Sequence, residues 1–163
     1  MNQKKRVLFL CTGNSARSQM AEAFLRRYAS EHFEVHSAGL EPKGIHPLTV
    51  KVMKEIGYPL EGQSSKGVNI YLGKVLFHYL ITVCDHAEQN CPTAWPGVNQ
   101  RLHWSFEDPA AYKGSEEEKL SRFREVREQI DQKVREWAEQ QIDLIRSAES
   151  PSETNGSGLN SPI

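Results

Sequence analysis

The hydrophobic pattern predicts an α/β fold, a four-stranded parallel sheet flanked by helices. Two observations carry this. Short apolar runs of strand character alternate along the chain with amphipathic runs of helical period, the pattern of strands joined by helical crossovers. The first apolar run, Val7-Leu8-Phe9-Leu10, passes through Cys11 and a tight loop of small residues straight into an amphipathic run that begins at Arg17.

The first strand spans 5–10 and reads as buried on both faces, because its apolar residues are continuous rather than alternating. A helix follows over 17–29, where Met20, Ala21, Phe24, Leu25 and Tyr28 recur at helical spacing. Phe33-Glu34-Val35-His36-Ser37 alternates and forms the second strand. A loop marked by Gly39, Pro42 and Gly44 leads to a helix opened by His46-Pro47 and ended by Gly57, with Val50, Met53 and Ile56 on its apolar side. The stretch 59–73 has no firm period and reads as a long loop with room for a short helix. Residues 75–83 form the third strand, which runs directly into Cys84. Residues 85–97 read as a loop with two prolines, 100–104 as a short fourth strand, and 105–109 as the turn after it.

The last helix is capped by Ser115, with Glu116, Glu117 and Glu118 in its first turn. Leu120, Phe123, Val126, Ile130, Val134 and Trp137 then step by threes and fours to about Ile145. Residues 1–146 make one domain of a size that buries a sizeable core. Residues 147–163, rich in Ser, Pro, Asn and Gly, read as a disordered tail.

With 20 basic and 21 acidic side chains, the 163-residue chain has no net charge that points to nucleic acid or to a membrane surface. No apolar run is long enough to span a bilayer. The basic lead-in 1–6 followed by 7–10 is too short for a signal peptide and reads as the start of the first strand. Three cysteines, Cys11, Cys84 and Cys91, are an odd count without a paired C-x-x-C. They argue for a cytoplasmic protein with working thiols rather than a disulfide framework or a metal site, and no cofactor is expected.

In a parallel sheet Cys11, Cys84 and the turn at Asp108 all leave the carboxyl ends of strands, which places them on one edge, where such sheets bind ligands. Cys11 stands at a helix start beside Arg17, a setting that favours its thiolate and makes it a nucleophile. Ser18 has a hydroxyl to offer the same sulfur. Arg17 presents a planar fork for two oxygens of a tetrahedral oxyanion. Gly13 lets the loop backbone turn inward and Asn14 tolerates the left-handed conformation such a turn uses. Thr12, Gly13, Asn14, Ser15, Ala16, Arg17 and Ser18 are therefore the candidate substrate-binding residues. The plainer alternatives are a structural cysteine before a helix, two unrelated loop cysteines, and a turn aspartate before proline.

The run from Cys11 to Ala23 resembles the phosphate loop and first helix of the low-molecular-weight protein tyrosine phosphatase superfamily, and within it the thioredoxin-coupled arsenate reductases. The likeness continues through Ser37-Ala38-Gly39, Ile56-Gly57, Cys84 to Pro92, His103-Trp104 and Phe106-Glu107-Asp108-Pro109. It implies a low-molecular-weight phosphatase-like fold and an arsenate or phosphate-like oxyanion as substrate. It also implies a three-cysteine relay, with Cys11 as nucleophile and Cys84 then Cys91 as resolving thiols, Asp108 as general acid, and thioredoxin or a similar thiol carrier as partner. The reductases resembled usually carry a second cysteine inside the loop, where this chain has Ala16; the three-thiol relay does not need it. Relatives that bind potassium near the loop use an Asn, a Glu, a Ser and an Asp. Asn14, Glu22 and Ser37 match, whereas Lys66 stands where the Asp is expected, so its ammonium is expected in place of an ion.

Two other readings remain open. One is a phosphatase using Cys11, Arg17 and Asp108, although Tyr112 is the one tyrosine near the Asp-Pro that could wall its pocket. The other is a non-catalytic oxyanion sensor.

Overall fold

The computed structural model describes residues 3–91 and 95–149. Strands β1 (Lys5–Cys11), β2 (Phe33–Gly39), β3 (Phe77–Thr82) and β4 (Val98–His103) form one sheet in the order β2-β1-β3-β4, with every pairing parallel. Helices α1 (Arg17–Ala29), α2 (Pro47–Glu55), α3 (Asp85–Asn90) and α4 (Glu116–Glu149) complete it, with short 3₁₀ turns at Val68–Ile70 and Pro109–Ala111.

The sheet explains the strand patterns. β1 is central, and Val7, Leu8, Phe9 and Leu10 are wholly buried, which is why its sequence is a continuous apolar run. β4 lies at an edge and is half-exposed throughout. Register then aligns the strand ends: Cys11 pairs with Gly39, Leu10 with Thr82, and Thr82 with His103. The residues that follow each strand are thereby delivered to one edge of the sheet, as the sequence predicts.

Helix α4 covers the sheet with Trp137, which packs on Phe33 of β2, Tyr79 of β3 and Trp104 just after β4. It also holds α1 and α2. Tyr28 of α1 donates to Asp131, and Arg127 donates to the Val52 carbonyl and to Glu55 of α2. The Tyr28 phenol is pushed well above its ordinary range by burial and by Asp131, so it remains the donor.

Three differences from the sequence reading have physical causes. Residues 75 and 76 stay out of β3 because the Val75 N–H closes a turn on the Tyr71 carbonyl (3.0 Å), with Gly73 at a φ of 74°. The start of the segment 85–97, read as loop, is the helix α3. Its polar sequence buries only Ala87 along its length, and its N-cap is the sulfur of Cys84, so neither an apolar period nor an ordinary capping residue signals it. Helix α4 runs to Glu149, so residues 147–149 of the predicted tail are helical; residues 150–163 lie outside the described residues.

Candidate active site

The loop between β1 and α1 is held from outside by its own carbonyls. The carbonyls of Cys11, Thr12, Gly13 and Ser15 accept from the N–H groups of Leu40 (3.1 Å), Glu41 (2.8 Å), Lys43 (2.9 Å) and His46 (3.0 Å). The Asn14 carbonyl accepts from Gln19 Nε2 at 3.0 Å. A planar trans peptide whose carbonyl points outward turns its N–H the other way, so the loop presents amides toward the cleft it encloses. Asn14 has a φ of 48°, the left-handed conformation expected of it.

Beneath the loop lies a buried polar scaffold. Asn14 Nδ2 donates to Ser18 Oγ (2.8 Å) and to Ser37 Oγ (3.0 Å), and Asn14 Oδ1 accepts from the Lys66 N–H (2.8 Å). Ser37 donates to Glu22, whose other oxygen pairs with Arg26 at 2.7 Å. Lys66 Nζ donates to the Ser64 carbonyl (2.7 Å) and stands 4.0 Å from Glu22. Burial pushes the Lys66 ammonium below its ordinary range, with Glu22 opposing that shift.

The cleft has a volume of about 820 Å³. Cys11, Arg17, Cys84 and Asp108 line it together, so four of the five residues with predicted chemical roles share one space. Of the predicted binding residues, Thr12, Gly13, Ser15, Ala16 and Arg17 also line it, whereas Asn14 and Ser18 sit behind the loop in the scaffold. Ser18 Oγ lies 2.9 Å from Cys11 Sγ. Arg17 reaches across the cleft, donating to the Phe106 carbonyl (3.1 Å) and standing 3.6 Å from Asp108 Oδ2. Asp108 Oδ1 accepts from Ala110 N at 3.0 Å, which fixes the carboxylate at the head of the Pro109–Ala111 turn. Such a set can hold a tetrahedral oxyanion, attack it with sulfur and protonate a departing oxygen.

Cys91 is placed apart. It is the C-cap of α3, bonded through its N–H to the Ala87 carbonyl (2.8 Å), and it does not line the cleft. Burial pushes its thiol up, with Arg101 opposing and Glu88 reinforcing the shift. All three cysteines are free thiols, each buried.

A model of the low molecular weight phosphotyrosine protein phosphatase family matches residues 6–147. This chain belongs to that family. An arsenate reductase of Halalkalibacterium halodurans is 43% identical over 136 residues, 83% of this chain and 96% of the relative. A solved arsenate reductase in its oxidized state superposes with a TM-score of 0.70 at 30% identity, over 83% of this chain and 98% of that one. The thioredoxin-dependent arsenate reductase of Corynebacterium glutamicum gives a TM-score of 0.66 at 31% identity, over 87% of this chain and 64% of that one.

Some of what the family fold assembles here has no signal in the sequence. Helix α3 is tied down by side chains read only as strand or loop. Asp85 accepts from Ser105 (2.9 Å) and meets His103 Nε2 at 3.0 Å, and those two partners hold its carboxyl below the ordinary range. Thr82 donates to Glu88, and Arg101 stands 3.5 Å from the same carboxylate. Thr12 Oγ1 lies 3.4 Å from Cys84 Sγ and 3.0 Å from His86 Nδ1, a bridge between loop and helix that spacing in sequence does not reveal. Tyr112 is not in the cleft; its hydroxyl donates to Glu118 at 3.2 Å. Among the described residues no group of three His, Cys, Asp or Glu side chains stands together as a metal site, and no helix is long and apolar enough to cross a membrane.

Proposed function

We propose that this chain reduces arsenate to arsenite by a thiol relay from Cys11 to Cys84 to Cys91, in arsenic detoxification in the cytoplasm. The observation that carries the reading is the presence of a second thiol, Cys84, in the same cleft as Cys11 and Arg17. The arsenate reductases among its relatives support it.

The chemistry follows from the groups in place. The Cys11 thiolate attacks arsenic, the loop amides and Arg17 hold the remaining oxygens, and Asp108 gives its proton to the departing oxygen, which leaves as water. The Cys84 thiolate then attacks the Cys11 sulfur. The sulfur–arsenic bond breaks with its electron pair on arsenic, which departs as arsenite, and a Cys11–Cys84 disulfide remains. Cys91 attacks Cys84 and releases the Cys11 thiolate. An external dithiol, thioredoxin or a related carrier, reduces the Cys84–Cys91 disulfide.

The last exchange requires α3 to unwind. Cys84 and Cys91 cap its two ends, and seven helical steps separate their Cα atoms by roughly 10 Å, whereas a disulfide needs about 4.4–6.8 Å. Cys11, Arg17 and Asp108 are also sufficient for slow hydrolysis of a phosphoester, so weak phosphatase activity accompanies the reduction. Lys66 supplies beside Glu22 the positive charge that a potassium ion supplies in some relatives; an ion beside Glu22 in crystals grown in potassium would remove that role.

The test is arsenite formation with thioredoxin, thioredoxin reductase and NADPH for wild type, Cys84→Ser and Cys91→Ser, beside phosphatase turnover. Loss of multiple-turnover reduction in both variants with phosphatase activity kept is the expected result. Reduction unaffected by either change overturns the relay. Phosphatase turnover without reduction in wild type makes the chain a phosphatase, and oxyanion binding without turnover makes it a sensor.

A further inference from the structure

His86 is a residue that neither the oxyanion cradle nor the three thiols require. It follows Asp85 in the first turn of α3, exposed at the mouth of the cleft. Its Nδ1 lies 3.0 Å from Thr12 Oγ1, and that hydroxyl lies 3.4 Å from Cys84 Sγ. One hydroxyl therefore touches both a thiol that must lose a proton and an imidazole that can take one. We infer that His86 accepts the Cys84 proton through the Thr12 hydroxyl, producing the Cys84 thiolate that attacks Cys11.

The direction of the bonds is set by what the groups can do. With the His86 proton on Nε2, Nδ1 is an acceptor; the Thr12 hydroxyl donates to it and accepts from the Cys84 thiol. Transfer of both protons along the chain leaves a thiolate on Cys84 and an imidazolium on His86, with no change in net charge. The Ala87 N–H, 3.4 Å from the sulfur, remains a donor to the thiolate. The sulfur is then ready as the arsenic adduct forms, while its charge is balanced about one hydroxyl away.

The charged groups around the pair are of both signs: Arg17 and Lys43 line the cleft, as do Asp85, Glu107 and Asp108. Cys11 and His46 are the other titratable groups of the cleft; His46 is already committed as the α2 N-cap, accepting from Leu48 N at 3.0 Å. His103 and Arg101, which do not line the cleft, pair with Asp85 and Glu88 of α3.

His86 acts through Thr12, so it is a positioning residue. The proposal rests on the relay reading for its purpose, but its test needs no arsenate. In a Cys11→Ser, Cys91→Ser background Cys84 is the single thiol, and its thiolate is read by ultraviolet absorbance against pH. The expected result is about tenfold less thiolate at pH 7 in His86→Asn and in Thr12→Val, a size usual for one lost charge partner. The two changes together should do no more than either alone, and Thr12→Ser should restore the signal. A thiolate curve unchanged by His86→Asn overturns the proposal, as does a loss that appears only with Thr12→Val.

The histidine end is read by nuclear magnetic resonance in the three-thiol protein, which covers a background that fails to fold. The His86 imidazolium should persist to higher pH than in Cys84→Ala, and identical titrations overturn the proposal. If the proton path holds while Cys84→Ser still reduces arsenate at the wild-type rate, the relay falls and the path stands.

Discussion

Ser18 Oγ lies 2.9 Å from Cys11 Sγ, and the same oxygen already accepts from Asn14 Nδ2 at 2.8 Å. A Cys11 thiolate can only accept, so in that state the hydroxyl donates to the sulfur while Asn14 donates to the hydroxyl. Both residues are buried, Cys11 at the floor of the cleft and Ser18 behind the loop.

Removing that donor should therefore slow every reaction of Cys11. A hydrogen bond to a charged group contributes about 1.5–3 kcal/mol, so Ser18→Ala should lose roughly ten- to a hundredfold in phosphatase kcat/KM at pH 7. The rate of Cys11 alkylation by iodoacetamide should fall with it. Equal rates in variant and wild type would show that the loop amides and Arg17 suffice without Ser18.

The strand–loop–helix layout around Cys11 is legible in the sequence because its signals are local. Strand, cysteine, small-residue loop and helix follow one another, and each residue type has a reason at its position. Asn14 shows the limit of such reading. Its left-handed backbone is predictable, yet its side-chain bonds to Ser37 and to the Lys66 N–H depend on segments far away in the chain. Helix α3 was not legible for a related reason. It buries only Ala87 along its length and is anchored by Thr82, His103 and Ser105 from other elements, so tertiary contacts supply what periodicity lacks.

Gly39 is a place where the loop after Cys11 depends on a missing side chain. A Cβ there would stand 2.7 Å from Asn14 N, 2.7 Å from the Thr12 carbonyl oxygen and 2.9 Å from the Gly13 carbonyl carbon, all backbone of the loop. These atoms are pinned by the outward carbonyl bonds and cannot give locally. Gly39→Ala should cost about 1–3 kcal/mol in denaturant unfolding, the usual range for overpacking. Phosphate affinity should also fall, because the loop must shift. An unchanged affinity measured by calorimetry would place the strain in β2 instead.

Glu55 links α2 to α4 and gives the protein an acid-sensitive clamp. The Arg124 guanidinium first, then Arg127, hold its carboxyl far below the ordinary carboxylate range, at about 2. The folded value is depressed relative to the unfolded one, so the stabilisation is fully present above about pH 4.5. It is lost as the pH falls toward 2. Glu55→Gln should lower the melting temperature at pH 7 and narrow the gap from wild type as the pH drops below 4. Parallel melting curves across that range would mean that the clamp adds nothing to acid sensitivity.

Oxidation should leave its mark on α3. The Glu88 N–H bonds to the Cys84 carbonyl at 3.1 Å and the Cys91 N–H to the Ala87 carbonyl at 2.8 Å in the reduced helix. Closing a Cys84–Cys91 disulfide shortens the span between the two caps to well under its helical length, so neither bond can persist. The ties to the sheet, Asp85 with His103 of β4 and Glu88 with Thr82 of β3, must yield as well, since they fix the helix where it cannot close. Hydrogen exchange followed by mass spectrometry should therefore show amides of residues 87–91 protected in the reduced protein and open after one turnover. The strands, whose ladder the disulfide does not touch, should exchange alike in both states. Protection retained across 87–91 in a protein shown to carry the Cys84–Cys91 bond would mean that the chain reaches the disulfide by moving Cys84 or Cys91 alone, with the helix intact.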